Sequence, residues 1–394
     1  MKTLGKYQPT RLNGFVTFEI PDIIHPSFPK VTVTGKYLRI QPHTFRPEVD
    51  PAIVDEISEK YCKLANQYGF GDHHFKRYSI KTMILTAVQF ALYWNPWVDL
   101  RSKQMDFMMR KNIWLWFFDD AMEEFWTSKS PTVGGKKHIS KLQIVHSTYL
   151  KIFHGTWNSK EELPSFPEYP QLGAMCAWIN DVVKLGVEIR GDEYFKECDH
   201  LIRIFQTIVD CNHWFTVNPV DGRYTQSTYH FWRVVNAGGN FVLELTAIMM
   251  DIRIPLEIRR HPAFDRLITI AMTNAQLVND VLGVRKDFSY GNGDLDNEVV
   301  FHVLHKNESV QEAVDALCDM INGDLHDLLL IKEALIDIFG EEENLVNFFD
   351  LIDLFIDGHN FIYVNNIRYK CERGFVRLSR DEELNGVVTK QAII

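Results

Sequence analysis

An acidic cluster follows directly on a run of aromatic residues that begins at position 114. Five apolar residues, four of them aromatic, occupy positions 114–118. The carboxylates after them are Asp119, Asp120, Glu123 and Glu124. On a helix Trp116, Asp119 and Glu123 share one face, so an apolar wall would meet clustered negative charge. Mg²⁺ compensates such a cluster because it takes carboxylate oxygens and shares its remaining positions with phosphates. The stretch therefore indicates a metal site, although a solvated acidic helix face has the same pattern.

A second group of possible ligands consists of Asn279, Gly283 and Asp287, which follow one another at intervals of four residues. This spacing keeps them within about 80° on one side of a helix. The amide oxygen of Asn279 and the carboxylate of Asp287 both suit Mg²⁺, and Lys286 adds a cation for a phosphate. An ordinary helix end is the alternative, because the turn-forming residues 289–293 stop the helix directly afterwards.

Two further positions bring cations that would suit a phosphate. Arg233 precedes the pair Gly238-Gly239, which weakens a helix and frees backbone carbonyls. Arg368 and Tyr369 are adjacent and combine a guanidinium fork with a phenol. For Arg233 the alternative is a plain helix kink, with the arginine paired at the surface. For Arg368 and Tyr369 the alternative is an ordinary amphipathic helix end.

The composition limits the classes of partner. The chain has 394 residues and a formal net charge of −10, which argues against nucleic acid. It has 46% hydrophobic residues but no run of 18 apolar ones, which favours a globular protein without a stable membrane anchor. The six cysteines lack zinc spacing, and the N-terminus lacks the apolar core of a signal peptide. We therefore expect free buried thiols and a cytoplasmic protein.

Proline punctuation separates the start of the chain from the rest. Residues 1–50 predict an irregular N-terminal segment that packs on the core, with a possible short hairpin within 31–40. From residue 51 onward the apolar residues recur at intervals of three and four, so we expect one all-α domain over residues 51–394. The expected helices cover about residues 51–64, 79–93, 102–126, 138–154, 168–188, 194–216, 227–251, 262–289, 308–337 and 345–369.

Taken together, the motifs resemble those of class I terpene synthases of the compact microbial and coral types. The stretch Asp119–Glu123 is similar to the aspartate-rich motif of that family, and residues 279–287 partly match its NDxxSxxxE motif. Arg233 lies 46 residues before Asn279, where the family has a pyrophosphate-sensing arginine. The adjacent residues 368 and 369 match the Arg-Tyr pair of the family.

Two positions depart from the family pattern. Gly283 stands where the family has Ser or Thr, and it offers no side-chain ligand. Asp287 stands where the family has Glu, and its side chain is shorter by one methylene. The occupancy and affinity of the metal ion held by this motif are therefore open.

The resemblance implies a single-domain helical bundle around a central hydrophobic cavity, with three Mg²⁺ ions that Mn²⁺ can replace. The implied metal ligands are Asp119, Asp120, Glu123, Asn279 and Asp287. The implied catalytic residues are Asp119, Arg233, Ala237 and Tyr369, with Asn236 as the link between Arg233 and Ala237. The implied substrate-binding residues are Arg233, Lys286, Arg368 and Tyr369 for the diphosphate and Trp116, Phe361 and Tyr363 for the cavity wall.

The implied reaction is that of a lyase in isoprenoid biosynthesis, carried out by a monomer or homodimer. A linear prenyl diphosphate would be ionised, its carbocation cyclised to a terpene, and pyrophosphate released. The large aromatic content favours a diterpene synthase that uses geranylgeranyl diphosphate, with farnesyl diphosphate next. A trans-prenyltransferase that elongates prenyl diphosphates and a non-catalytic helical scaffold are the alternatives. The first is disfavoured because the second motif is based on Asn-Asp instead of a second aspartate-rich run.

Overall fold

The chain forms an almost entirely helical protein, as the sequence predicts. The computed structural model describes residues 12–20, 33–40, 49–71, 79–127, 135–157, 170–191, 193–217, 225–289, 297–366 and 368–369. Within these stretches there are 13 helices and one pair of strands. The chain divides into two compact units. Unit 1 comprises Met1–Phe45, Gly222–Gly239 and Ile252–Ile394, and unit 2 comprises Arg46–Asp221 and Asn240–Asp251.

Unit 2 is built from helices whose starts carry local capping signals. Its elements are α1 (Pro51–Gln67), α2 (Ile80–Trp94), α3 (Lys103–Thr127), α4 (Gly135–Phe153), α5 (Pro170–Arg190) and α6 (Glu193–Val217). Asp50 caps α1 by accepting a hydrogen bond from the Ala52 N–H, and Ser79 caps α2 through the Thr82 N–H. Such caps satisfy backbone donors that a helix start would otherwise leave unpaired.

The core of unit 2 is a cluster of aromatic rings around the middle of α3. Trp114 is fully buried, and its ring centroid lies 5.3 Å from that of Tyr149 and 5.5 Å from that of Phe118. Phe153 and Phe205 complete the cluster at 5.9 and 6.0 Å from Trp114. Edge-on and tilted ring pairs at these distances add to the stabilisation that area burial alone provides.

Unit 1 contains the strands and the remaining helices. They are β1 (Leu12–Ile20), β2 (Val33–Ile40), α7 (Gln226–Asn236), α9 (Leu256–Arg259), α10 (Pro262–Ser289), α11 (Glu298–Lys306), α12 (Val310–Phe339) and α13 (Glu343–Asn365). Helix α8 (Gly239–Met249) belongs to unit 2 apart from its first residue. The stretch Pro262–Val284 of α10 is long and apolar enough to cross a membrane, but 89% of its apolar window is buried inside the protein. It has the character of a core helix.

The predicted hairpin within residues 31–40 is wrong in its pairing. Residues 33–40 form the single strand β2, which pairs antiparallel with β1 from Leu12↔Ile40 to Ile20↔Val33. In β2 the burial alternates, and the inward side chains of Tyr37 and Arg39 are almost fully buried. Strand β1 was not predicted from the sequence. Its short alternation of apolar and polar residues is convincing only together with its partner strand, which lies more than ten residues away.

Side chains from α12 and α13 hold β2 in place within unit 1. Gln311 on α12 exchanges two hydrogen bonds with the Thr34 backbone, and the amide oxygen of Asn322 accepts the Leu38 N–H at 2.6 Å. On α13 the oxygen of Asn360 accepts the Tyr37 hydroxyl, and Asp357 pairs with Arg39. The described part of the N-terminal segment is thus a β-ribbon that packs on two helices.

The structure corrects two predicted helices and adds one that was not predicted. The expected helix 227–251 breaks at Ala237 and Gly238, where Gly238 adopts a φ of 65°, a conformation that favours glycine. The expected helix 345–369 ends at Asn365. Helix α11 was not predicted, because it has only nine residues and follows a stretch rich in Gly and Asn.

Candidate active site

Helix α7 presents Arg233 to the interior of unit 1. The helix is capped by Thr225, whose side chain accepts the Thr228 N–H, and it is amphipathic. Tyr229, Trp232 and Arg233 are buried, whereas Phe231 is 61% exposed on the other side. Ala237 closes the helix by donating its N–H to the Arg233 carbonyl at 3.2 Å, and Ala237 itself is exposed. The helix break therefore comes one turn after the buried guanidinium.

The guanidinium of Arg233 forms a buried ion pair with Asp280 on α10. Nη2 donates to Oδ1 at 2.6 Å, and Nε donates to both carboxylate oxygens at 3.2 Å. Asp280 is fully buried and also accepts Gln276 Nε2 at 2.8 Å and the Glu298 N–H at 2.9 Å. Such a saturated environment compensates the desolvation of a buried charge pair.

Burial raises the pKa of Asp280 to about 6, while the charge and hydrogen bonds of Arg233 oppose the rise. The carboxylate is therefore the prevailing form at neutral pH, and its negative charge holds the guanidinium in a fixed orientation. Sequence reasoning missed Asp280 as a functional residue. Its adjacency to Asn279 was visible, but its contact with a residue 47 positions earlier was not.

Two phenols lie next to this ion pair, and one of them interacts with Asn279. Burial raises the pKa of Tyr363 well above its ordinary value, and Tyr369 raises it further. The side chain of Asn279 and the nearby charge of Arg233 act in the opposite direction on the pKa of Tyr363. The rings of Tyr363 and Tyr369 lie 4.6 Å apart. Unit 1 thus brings Arg233, Asn279, Tyr363 and Tyr369 together.

The carboxylate of Asp287 is held by a residue outside the motif. Asp287 is half-buried on α10, and its Oδ2 accepts a hydrogen bond from Asn297 Nδ2 at 2.9 Å. The same nitrogen donates to the backbone carbonyl of Asp280 at 2.8 Å. Asn297 is also the cap of α11, because its Oδ1 accepts the N–H groups of the two residues at 299 and 300. Sequence reasoning missed Asn297, although Asn before a helical Glu is a capping signal.

A second buried acid lies beside Asp280. Glu298 is fully buried, and its carboxylate contacts His230 Nδ1 at 2.8 and 3.0 Å. Burial lowers the pKa of His230, but the bond and charge of Glu298, with Asp324 and Asp280, outweigh this and raise it. His230 and Glu298 therefore form a second ion pair one turn before Arg233 on α7.

The Arg-Tyr pair lies in a turn after α13. The Arg368 N–H donates to the side chain of Asn366 at 2.7 Å, and the Tyr369 N–H donates to its carbonyl at 3.1 Å. Arg368 and Tyr369 are both buried, at 5% exposure each. Phe361 is half-buried on the last turns of α13. The turn thus keeps the pair inside the protein although the helix has ended.

The aspartate-rich motif lies near the end of α3, in unit 2. Asp119 and Trp116 are both half-buried, and the Trp116 ring lies 5.4 Å from that of Phe90 on α2. Asp120 and Glu123 belong to α3, and Lys286 belongs to α10, but the side chains of these three lie outside the described part of the structure. The predicted roles of all these residues stay predictions.

The described residues of unit 1 suit a hard divalent cation in their chemistry. The amide oxygen of Asn279 and the carboxylate of Asp287 are hard oxygen ligands of the kind that Mg²⁺ prefers. Among the residues that the structure describes, no three His, Cys, Asp or Glu side chains form a metal cluster. Asp287 is the only carboxylate of the second motif that the sequence predicts as a ligand, and Asp280 is taken up by Arg233, so a metal ion held there would need further oxygen ligands.

Two solved structures have the same fold as this chain. The linalool/nerolidol synthase from Streptomyces clavuligerus aligns with a TM-score of 0.60 over 82% of this chain and 98% of its own, at 13% identity. The 2-methylisoborneol synthase from Streptomyces coelicolor A3(2), solved in complex with Mg²⁺ and 2-fluoroneryl diphosphate, aligns with a TM-score of 0.62 over 84% and 96%, at 14% identity. The predicted helical fold of a class I terpene synthase is thereby confirmed.

Sequence comparison identifies the family. A (3S,6E)-nerolidol synthase from Selaginella moellendorffii is 31% identical over 107 residues, which are 26% of this chain and 28% of that relative. The sequence pattern of terpene synthase family 2, C-terminal metal binding, matches residues 111–327, which is more than half of the chain. The resemblance seen in the motifs is confirmed, and the chain belongs to terpene synthase family 2, a family of enzymes.

Proposed function

We propose that the protein is a Mg²⁺-dependent terpene cyclase, which ionises a linear prenyl diphosphate and cyclises the carbocation. The observation that supports this best is the cluster of Arg233, Asn279, Tyr363 and Tyr369 in unit 1. Three helices and the turn after α13 contribute these four residues, and the sequence assigned all four to the diphosphate, the metal or the cavity wall.

The metal ions would be held by oxygen ligands of both motifs, namely Asp119, Asp120, Glu123, Asn279 and Asp287. When bound, Mg²⁺ neutralises the diphosphate and so makes it a better leaving group. The site would hold three Mg²⁺ ions, which Mn²⁺ could replace. Gly283 adds no ligand, so a water or a phosphate oxygen would take the place of the hydroxyl that the family pattern has.

Arg233 would bind the diphosphate while Asp280 orients it. The carboxylate of Asp280 holds the guanidinium through its Nε and Nη2. Pre-orientation by a fixed carboxylate lowers the entropy lost when the phosphate binds. Lys286, Arg368 and Tyr369 would add donors, and the carbonyl of Ala237, at the helix break, would face the departing group with Asn236 as the link.

The aromatic residues would exclude water and stabilise the carbocation. Trp116, Phe361 and Tyr363 are the proposed wall residues, because each shares a helix with a proposed ligand or lies just before the Arg-Tyr pair. An aromatic face attracts a cation by about 0.5–2 kcal/mol, and more when water is absent. Water must be kept out because it would quench the cation.

The substrate is a prenyl diphosphate, and its length is the open part of the proposal. The aromatic content favours geranylgeranyl diphosphate, as the sequence predicts, with farnesyl diphosphate next. The similar proteins are named for nerolidol, linalool and 2-methylisoborneol, so shorter substrates belong in the same test.

We further propose that the enzyme is cytoplasmic and is a monomer or homodimer. The cytoplasmic location is supported by the buried Cys176 and Cys318, which are free thiols with a pKa raised by burial to about 12.

The test is incubation of the purified protein with C10, C15, C20 and C25 prenyl diphosphates, with Mg²⁺ or with a chelator. We expect Mg²⁺-dependent release of pyrophosphate and a cyclic terpene by gas chromatography–mass spectrometry. Longer linear diphosphates formed with isopentenyl diphosphate would instead indicate chain elongation. Absence of any Mg²⁺ and pyrophosphate effect on both turnover and melting temperature would indicate a non-catalytic scaffold.

Site variants separate the proposed ligands from their surroundings. Asp119→Asn and Arg233→Ala should each abolish terpene formation. Asp265→Asn and Arg266→Ala are matched controls, because both residues are exposed near the start of α10. Wild-type turnover in Asp119→Asn and Arg233→Ala would contradict the site assignment.

A further inference from the structure

The amide of Asn297 uses all of its hydrogen-bonding capacity on four partners. Its Oδ1 accepts the Val299 N–H at 3.0 Å and the Val300 N–H at 3.4 Å. Its Nδ2 donates to the Asp280 carbonyl at 2.8 Å and to Asp287 Oδ2 at 2.9 Å. Two donors face the oxygen and two acceptors face the nitrogen, so the orientation of the amide is determined by its partners.

Full burial makes this arrangement rigid. Asn297 is completely buried, and a buried amide that loses a partner pays the desolvation of the orphaned group. A helix cap needs only the oxygen of the side chain. The nitrogen therefore does something that capping alone does not require, because it joins the start of α11 to two positions of α10 that lie seven residues apart.

The next residue extends the connection to the arginine. The Glu298 N–H donates to Asp280 Oδ2 at 2.9 Å, and Asp280 holds Arg233. The consecutive residues Asn297 and Glu298 thus contact both acidic side chains of the second motif, Asp287 through a side-chain amide and Asp280 through a backbone amide. Neutral donors are used in both cases, so neither contact brings a further charge to the two acidic side chains.

We propose that Asn297 is a positioning residue of the metal site, which fixes the Asp287 carboxylate in the orientation needed to ligate a divalent cation. The inference rests on the proposed function, since Asp287 is a metal ligand only in a terpene cyclase of the proposed kind. Partners that orient a ligating carboxylate typically change metal affinity by about 10–100-fold when removed. Asp287 is shorter than the Glu of the family pattern, so it has less freedom to find the ion without such support.

Two substitutions separate positioning from capping. Asn297→Ser keeps a capping oxygen for Val299 and Val300 but has no amide nitrogen for Asp287. Asn297→Asp keeps the cap and the shape but places a carboxylate oxygen beside Asp287. The matched control is Ser309→Ala, which removes the cap of α12, where Ser309 accepts the Glu312 N–H at 3.2 Å and makes no hydrogen bond to the described part of α10.

The measurement is Mn²⁺ binding by electron paramagnetic resonance in the presence of pyrophosphate, together with the melting temperature of the metal-free protein. We expect Asn297→Ser to bind Mn²⁺ about 10-fold more weakly than the wild type, and Asn297→Asp more weakly still. Ser309→Ala should lower the melting temperature and leave Mn²⁺ binding unchanged. The turnover of Asn297→Ser, relative to that of the wild type, should be higher at saturating Mg²⁺ than at low Mg²⁺.

Equal Mn²⁺ affinity in the wild type and Asn297→Ser, with a melting temperature lowered as in Ser309→Ala, would show that Asn297 is only a helix cap. A wild type that binds no Mn²⁺ with pyrophosphate would overturn the proposed function itself, whatever the variants do. If Asn297→Asp does not fold without metal, Asn297→Ser still decides between the two roles.

Discussion

The two units of the molecule differ in the partners that surround their buried charged side chains. In unit 1 the buried charges occur in pairs, such as Arg233 with Asp280 and Lys332 with Asp353. In unit 2 the middle of α3 is surrounded by aromatic rings, and the buried cation Lys111 has a hydroxyl as its partner. Its Nζ lies 2.9 Å from Thr246 Oγ1 and 4.0 Å from Met108 Sδ, and none of its described contacts is a carboxylate.

The difference reflects what each interior can support. Paired charges hold one another in fixed orientations, which suits a unit that carries Arg233 and Asn279 close together. An aromatic interior without counter-charge instead disfavours ions, and burial lowers the pKa of Lys111 to about 7. Unit 2 therefore has a lysine that is close to neutral at physiological pH. Substitutions that remove a paired charge from unit 1 or the buried lysine from unit 2 test this difference most directly.

The largest effect is expected from breaking the central ion pair of unit 1. Arg233→Met leaves the Asp280 carboxylate buried without its cation, and we expect a loss of about 3–5 kcal/mol in the free energy of unfolding. The double variant Arg233→Met with Asp280→Leu should recover much of this stability but no activity. Urea unfolding and pyrophosphate release measure the two properties separately. A single variant as stable as the wild type would mean that the pair contributes nothing to holding unit 1 together.

The next effect has the opposite sign and lies in unit 2. Lys111→Met should stabilise the protein by about 1–4 kcal/mol at pH 7, because the buried group then needs no neutralisation. Thr246 keeps its own bond to the Val242 carbonyl at 2.8 Å. The exposed Lys81→Met is the matched control and should show no gain.

The pH dependence checks the cause of that gain. The ordinary pKa of a lysine is 10.5 and that of Lys111 in the folded protein is about 7, so between these values the unfolded chain binds one more proton. Stability of the wild type should therefore rise with pH in this window, by up to about 1.4 kcal/mol per pH unit. The advantage of Lys111→Met should shrink from pH 7 to pH 10, as followed by the melting temperature. A constant advantage would point to packing instead of charge.

A smaller loss is expected where the N-terminal ribbon meets α13. Tyr37 is fully buried and its hydroxyl donates to Asn360 Oδ1. Tyr37→Phe leaves that oxygen buried without this donor, and we expect a loss of about 1–2 kcal/mol in the free energy of unfolding. Thermal unfolding measures it. An unchanged melting temperature would mean that the Tyr37 hydroxyl contributes nothing and that the other bonds of the ribbon, those to Gln311, Asn322 and Asp357, hold it in place.

The smallest effect on stability is expected at Gly283. Gly283→Ser should change the free energy of unfolding by less than about 1 kcal/mol, because Ser is a somewhat better helix former than Gly. Activity should persist, and the Mg²⁺ concentration for half-maximal rate should stay equal or fall, because a hydroxyl ligand is added. A complete loss of folded protein would show that Gly283 is needed for packing. Magnesium titration and circular dichroism distinguish these outcomes.

Helix positions are the part of the fold that the sequence predicts well, because spacing along the chain carries the signal. The expected helix 262–289 coincides with α10, and the expected helix 102–126 differs from α3 by one residue at each end. The short helix α11 and the strand β1 escaped prediction. The first follows residues that read as a turn, and the second depends on a partner brought to it by folding.

In the candidate site, too, the sequence predicts some of the residues and misses others. Motif spacing was enough to single out Arg233, Asn279 and Tyr369, which the structure brings together through Tyr363. Asp280, which holds Arg233, and Asn297, which holds Asp287, were not predictable. Their roles depend on hydrogen bonds between separate helices, and such contacts leave no periodic trace in the sequence.

The discontinuous course of unit 1 has a consequence for how the chain acquires its structure during synthesis. Most of unit 2 is one continuous segment, Arg46–Asp221, but the ribbon strand β2 finds its partners about 280–320 residues later, on α12 and α13. Domains emerge from the ribosome N-terminal end first. Strand β2 must therefore wait, without its helical partners, until a stretch about 280–320 residues further along has been translated.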